Sequence, residues 1–344
     1  MFQRILVPLD GTEGAERAIP VAARIARATG GSIVFIRVVT APADFGTYAA
    51  GPRGTIAAKP GAGASEKELA DAASYLAATT AAYAGDLASI QTETDVASGA
   101  TSPTIFSAAR YAHVDLLVMC SHGETGLKRW VLGSVAHEAV RHSPVPVLVL
   151  HEHGKALPVP DAAHPLRVLV PLDGSALAER ALKPAAQLLA ALAAPAQGEV
   201  HLLRVVDLPP AYGHLKSQAH LSDSMQEEAR REAETYVQAV ADRLRETSFA
   251  KAFQLNIPSS VAVSTDVAGT ITRLADAEHS AGSDLIAMAT HGHGGLRHLV
   301  LGSVTERVLD EILLPLLIVR PEEPGETVQV EMTEVEIQSW PGLL

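Results

Sequence analysis

The chain has 344 residues, 47% of them apolar and 19% charged, which excludes a disordered chain and suffices for two domains that each bury a core. Its formal net charge of −12 argues against a broad nucleic-acid-binding face, although six Glu fall in residues 321–344 and leave the remainder only mildly acidic. The single cysteine, Cys120, excludes an intramolecular disulfide and any multi-cysteine metal site.

Strand and helix then alternate. Arg4–Pro8 is a short run of Ile, Leu and Val, followed by a predicted helix near 13–29 in which Pro20 predicts a kink or a late start. A strand at 32–39 leads into a Gly/Ala/Pro-rich loop at 40–64, long enough to suggest function. A helix near 65–86, a weaker strand near 91–97 and a helix near 102–112 follow. The apolar run 115–120, a glycine-bearing loop over 121–132, a helix near 133–142 and a strand at 145–150 complete a first domain, 1–150. Residues 151–165, proline-rich and polar, read as a linker. The second domain, 166–320, repeats the order at about 167–171, 176–193, 199–206, 223–247, 257–264, 268–281, 284–289, 302–312 and 315–320. Residues 321–344 form an acidic tail that reads equally as a bulged edge strand or as a segment without structure. Apolar strands separated by helices predict a parallel sheet covered on both faces, an α/β doubly wound fold. No basic stretch leads into an apolar leader and no apolar run is long enough to span a bilayer, so a cytoplasmic protein is expected.

The chain also says the same thing twice. Arg4-Ile-Leu-Val-Pro-Leu-Asp-Gly-Thr12 returns as Arg167-Val-Leu-Val-Pro-Leu-Asp-Gly-Ser175, and the segment from Ser121 to Val135 returns from Thr290 to Val304. A repeat of that length is a whole domain.

Three features of each half converge on the carboxyl edge of such a sheet, where ligands bind at the reversal of winding. The first strand ends in Pro8-x-Asp10 or Pro171-x-Asp173. The fourth empties into Ser121-His122-Gly123 or Thr290-His291-Gly292. Nine residues on, Gly133-Ser134 or Gly302-Ser303 opens a helix, whose unpaired N–H groups suit phosphate oxygens. Lys128, Arg129 and Arg297 lie in the intervening loops. The plainer readings are an ordinary helix cap, with Ser303 to Glu306 spelling a capping box, and a turn-forming Asp. Each signal alone is weak, but the ordered set occurs twice. P-loop and dinucleotide glycine patterns are absent. Cys120 reads as a small buried hydrophobe rather than a redox sensor. The histidine pairs His151/His153 and His291/His293 imply no complete metal site.

The ordered set resembles the universal stress protein family in its tandem two-domain form. The family pattern G-x-x-G, nine residues, G-[ST] reads Cys120-x-x-Gly123-(nine)-Gly133-Ser134 and Ala289-x-x-Gly292-(nine)-Gly302-Ser303, so each half lacks the first glycine. The resemblance implies two five-stranded parallel sheets of order 3-2-1-4-5, like the adenine nucleotide alpha hydrolases, related by a pseudo-twofold axis. It implies ATP across strands one and four, with Mg where a divalent ion accompanies the phosphates. Asp10 and Asp173 would face ribose or that ion, beside Pro8 and Pro171; Val38 and Val205 would line the adenine pocket. Gly123, Gly133, Ser134 and Val135, with Gly292, Gly302, Ser303 and Val304, would hold the phosphates. Alanine at 289 should disturb this arrangement less than cysteine at 120, ranking the second half as the better binder. The last strands of the two halves are expected to pair antiparallel, and chains to associate further into a homo-oligomer. A nucleotide-binding regulatory protein is the leading reading; a slow metal-dependent ATPase and a non-binding interaction module are the alternatives. No lysine set by a phosphate motif, no Ser/His/Asp arrangement and no paired carboxylates mark an enzyme.

Overall fold

The computed structural model describes residues 2–40, 64–121, 132–152, 154–161, 164–194, 196–207, 216–276, 282–290 and 301–320. The expected loop at 40–64, apart from its ends, and the acidic tail lie outside them.

In the first half β1 (Arg4–Pro8), α1 (Glu13–Glu16), α2 (Ala18–Thr29), β2 (Ser32–Val39), α3 (Glu66–Ala82) and β3 (Gln91–Ser98) are followed by α4 (Thr101–Tyr111), β4 (Leu116–Cys120), α5 (Ser134–His142) and β5 (Val147–Leu150). The second half runs β6 (Leu166–Pro171), α6 (Ala176–Glu179), α7 (Leu182–Ala193), β7 (Gly198–Val206), α8 (Lys216–Glu246) and α9 (Ser248–Ala252), then β8 (Ser259–Val263), α10 (Val267–Ala275), β9 (Leu285–Ala289), α11 (Ser303–Glu311) and β10 (Leu316–Val319).

The predicted first helix of each half is two helices. Thr12 caps α1 by accepting from the Ala15 N–H, and Ser175 caps α6 by accepting from the Ala178 N–H. Pro20 and Pro184 then fall in the third positions of α2 and α7, where a missing N–H removes no intrahelical bond. The chain's late restart there is the proline's doing. The short α9 was not expected, and α8 begins before the predicted start.

Strand order is β3-β2-β1-β4-β5-β10-β9-β6-β7-β8. Each half is parallel within itself and reads 3-2-1-4-5 from its outer edge. They join through the antiparallel pair β5·β10, with Leu317 opposite Leu148. As the resemblance implies, the two five-stranded sheets meet at their last strands, making one ten-stranded sheet, and the pairing hides two strand edges. Leu148 and Leu317 are both fully buried, each side chain worth about 1.5–3 kcal/mol in transfer from water.

One hydrophobic core lies on each face of the sheet, and both run through the two halves. The first is covered by α2, α3, α7 and α8; the second by α4, α5, α10 and α11. Polar contacts reinforce the join. Arg24 of α2 donates to the carbonyls of Pro158 (2.7 Å) and Leu192, Lys155 pairs with Asp276 at 2.6 Å, and Arg141 of α5 pairs with Glu306 of α11 at 3.0 Å.

Candidate functional site

β1 and β6 are central in their halves, flanked by β2 and β4 or by β7 and β9, so each emerges where the winding reverses. A cavity opens at each of these carboxyl edges, of about 780 Å³ in the first half and about 900 Å³ in the second. Pro8, Asp10, Val38, Gly133, Ser134 and Val135 all line the first. Pro171, Asp173, Val205, Gly302, Ser303 and Val304 all line the second. Gly123 and Gly292, with His122, His291, Lys128, Arg129 and Arg297, lie outside the described residues.

The carboxylates have a local duty as well. Asp10 Oδ1 accepts from the Thr12 N–H (3.0 Å) and the Thr12 hydroxyl (2.6 Å); Asp173 Oδ1 accepts from the Ser175 N–H at 2.9 Å. These are Asx turns that set the start of α1 and α6. The turn reading and the cavity reading thus hold together, since the same side chains line the cavities.

On the opposite wall, Gly133 and Gly302 are the N-caps of α5 and α11, with no side chain capping either helix. The glycine N–H groups are not available to a ligand, because they donate to the carbonyls of Ser121 and Thr290. A Cβ at Gly302 would stand 3.1 Å from the Thr290 carbonyl oxygen, so glycine here lets the fourth strand's exit pack against the helix start. The N–H groups of the following turn, from Ser134 and Ser303 onward, lie ahead of the first intrahelical acceptor at 133 and 302. Ser134 and Ser303 are exposed first residues of their helices. The capping box spelled by Ser303 to Glu306 does not form: Ser303 is inside the helix, and Glu306 turns to Arg141.

Sequence reasoning missed a second set of side chains on the cavity wall. Arg37 and Tyr75 line the first cavity, Arg204 and Tyr236 the second. The Arg37 guanidinium carbon stands 4.7 Å from the centre of the Tyr75 ring, and the Tyr75 hydroxyl donates to Glu16 at 2.8 Å. Burial, with that bond to Glu16, pushes the Tyr75 phenol up to about 12. Arg204 donates to the Leu172 carbonyl at 3.3 Å, and Tyr236 donates to Glu179 at 3.0 Å. Burial and the Glu179 charge push the Tyr236 phenol up as well. The available signal was the repeat itself: an arginine precedes Val38 and Val205 near the end of an otherwise apolar strand. Cys120 is buried at the end of β4, and burial pushes its thiol up to about 12, which leaves it unreactive at neutral pH.

Among the described residues no group of three or more His, Cys, Asp or Glu could hold a metal ion. None of the described helices is long and apolar enough to cross a membrane.

The model of the universal stress protein family matches residues 1–151 and again 166–320. A universal stress protein of Mycobacterium tuberculosis is 29% identical over 212 residues, covering 60% of this chain and 62% of its own length. One from Methanocaldococcus jannaschii is 26% identical over 155 residues, covering 45% of this chain and 85% of the relative. Among solved structures, a universal stress protein from Archaeoglobus fulgidus superposes with a TM-score of 0.59 at 18% identity, over 92% of this chain and 98% of its own. A protein of unknown function from Pseudomonas aeruginosa gives 0.57 at 16% identity, over 93% of each chain. Those two likenesses concern the fold. The two family matches, covering both halves of one ten-stranded sheet, place the chain in the universal stress protein family.

Proposed function

We propose that both halves bind an adenine nucleotide, ATP with Mg, and that the protein acts in the stress response as a nucleotide-responsive regulator without efficient turnover. One observation carries this reading. In each half a carboxylate at the end of the central strand shares a cavity with the start of a helix that no side chain caps among the described residues. A helix start suits phosphate oxygens, and the carboxylate suits a ribose hydroxyl or a phosphate-bound divalent ion. The cavity volumes fall within the range of small-molecule sites. Supplied by the nucleotide, Mg would neutralise phosphate charge beside Asp10 or Asp173. Ser134 and Ser303 would add hydroxyl donors, and Val38 and Val205 an apolar wall for the base.

Regulation rather than catalysis is the leading reading because the sequence carries no lysine set by a phosphate motif and no Ser/His/Asp arrangement. Association of chains into a homo-oligomer belongs to the same reading, and light scattering on the full chain tests it. Mass spectrometry of small molecules released from the purified chain should recover an adenine nucleotide. Titration with MgATP should show saturable binding that is lost in the double variant Asp10→Ala, Asp173→Ala. No recovered nucleotide and no thermal shift at millimolar ATP would leave the fold as an interaction module. Metal-dependent phosphate release that disappears in the same double variant would make it a slow ATPase.

A further inference from the structure

The repeated arginine on the cavity wall bears on which ligand is accepted, and the inference rests on the nucleotide reading above. In the first cavity the described lining carries three carboxylates, Asp10, Glu68 and Asp71, against Arg37 as the one cation. The second carries Asp173, Asp207 and Glu232 against Arg204. Among the described residues neither guanidinium lies within ion-pair distance of a carboxylate, although each shares its cavity with three. Both arginines are only partly exposed.

Their placement is built rather than incidental. Gly11 adopts φ +95°, and the Arg37 guanidinium packs against it, so that a Cβ there would push the end of that side chain aside. Tyr75 closes the other side, itself held by Glu16 of α1. In the second half Leu172 accepts from Arg204, while Glu179 of α6 accepts from both Tyr236 (3.0 Å) and Arg243 (2.7 Å). Arginine, tyrosine and glutamate thus recur together at matching places in the two halves. A guanidinium has five donors in a rigid fork, and Arg204 spends one on a neutral carbonyl. Among the described lining residues, an anion entering either cavity meets three carboxylates and this one guanidinium.

We infer that Arg37 and Arg204 are the specificity residues by which the two cavities select a phosphorylated nucleotide over the uncharged nucleoside. Tyr75 is a positioning residue that holds the Arg37 guanidinium on the wall, and in the second half the Leu172 carbonyl holds that of Arg204.

Calorimetric titration of the full chain with ATP and with adenosine, both in Mg buffer, tests this. In the double variant Arg37→Gln, Arg204→Gln, ATP affinity should fall about tenfold or more while adenosine affinity stays within about twofold. The double variant Arg37→Lys, Arg204→Lys keeps the charge but not the planar fork of donors and should fall about threefold for ATP. Circular dichroism and melting curves establish that each variant is folded; the lysine pair carries the test if the glutamine pair is not. Equal losses for ATP and adenosine would show that the arginines only shape the cavity and would overturn the inference. So would unchanged ATP affinity in either folded double variant. Wild-type protein that binds neither ligand removes the nucleotide reading and this inference together, whereas wild-type binding with indifferent variants removes the inference alone.

Discussion

The two halves of the chain differ most at their margins and least at the carboxyl edge of the sheet. Asp10 and Asp173, Arg37 and Arg204, Tyr75 and Tyr236, and Glu16 and Glu179 occupy matching positions, and both helices that open onto the cavities start on a Gly-Ser. Around this shared centre, α3 has 17 residues where α8 has 31, β4 ends on Cys120 where β9 ends on Ala289, and the fourth helical residue is His137 in α5 but Glu306 in α11. That last difference makes the halves unequal partners. A carboxylate in the first turn suits an empty helix start and opposes an anion there, and the residue that engages Glu306 is Arg141 of the first half. The second cavity therefore leans on the first domain.

The strongest way to break this picture is to show that the halves fold apart. Phe35→Ala and Leu202→Ala remove side chains at matching positions of β2 and β7, both fully buried in the one core that runs through both halves. Each should cost about 2–5 kcal/mol. Because that core is continuous, either substitution should move one shared transition in urea denaturation followed by circular dichroism. Two separated transitions, with only the altered half shifting, would contradict a joint body.

A smaller effect sharpens the comparison at the turns after β1 and β6. Gly11 and Gly174 have φ of +95° and +87°, a region where an L side chain is strained by about 1–3 kcal/mol. Gly11→Ala and Gly174→Ala should each lower stability by that order in the same denaturation assay. In the first half the added methyl also displaces Arg37, so ATP affinity measured in an Asp173→Ala background should fall as well. No stability loss at either position would contradict the left-handed turn.

How much of this was legible beforehand follows from what each signal depends on. The parallel, doubly covered sheet was legible because continuous apolar runs such as 115–120 and 145–150 suit strands buried on both faces, whereas the strand order and the antiparallel join of β5 to β10 came from the family resemblance alone. Asp10, Asp173, Gly133 and Gly302 were legible because the repeat marks them. Their detailed work was not: Gly302 serves close packing on Thr290, and Glu306 has a partner 165 residues away, which no local pattern announces. The capping box spelled by Ser303 to Glu306 fails by one residue of register, because Gly302 and not Ser303 is the N-cap. Arg37 and Arg204 were passed over because a charged residue near a strand end reads as a solvated edge until the cavity that it lines with a tyrosine of the next helix is known.

A still smaller effect tests the dependence of the second cavity on the first domain. With Arg141 24% and Glu306 45% exposed at the side chain, the pair contributes under about 1 kcal/mol to folding. Its removal frees Glu306 beside the start of α11. In an Asp10→Ala background, which silences the first cavity, Arg141→Ala should weaken ATP binding about twofold to threefold at low salt, less at high salt. Adding Glu306→Gln should restore it. If the double variant binds no better than Arg141→Ala alone, the arginine acts by packing and the electrostatic dependence between the halves is wrong.

The least perturbing change is Cys120→Ala, which copies the second half's Ala289 into the first. The group removed is about the size of one methylene, so stability at pH 7 should fall by about 0.8 kcal/mol or less. The difference between wild type and variant lies in its pH dependence. Burial raises the Cys120 thiol from an ordinary value of 9.0 to about 12, so the unfolded chain ionises first. Stability carried by the neutral thiol is complete below pH 9 and is lost as pH rises from 9 toward 12, with a slope of up to about 1.4 kcal/mol per pH unit. Other groups titrate in that window, Tyr75 among them, but they are common to both proteins and cancel in the comparison. The wild type should therefore converge on the alanine variant and then fall below it as pH rises, in denaturant titrations at matched pH. Parallel curves would place the thiol in contact with solvent, and the first cavity would then hold a reactive group that the second lacks.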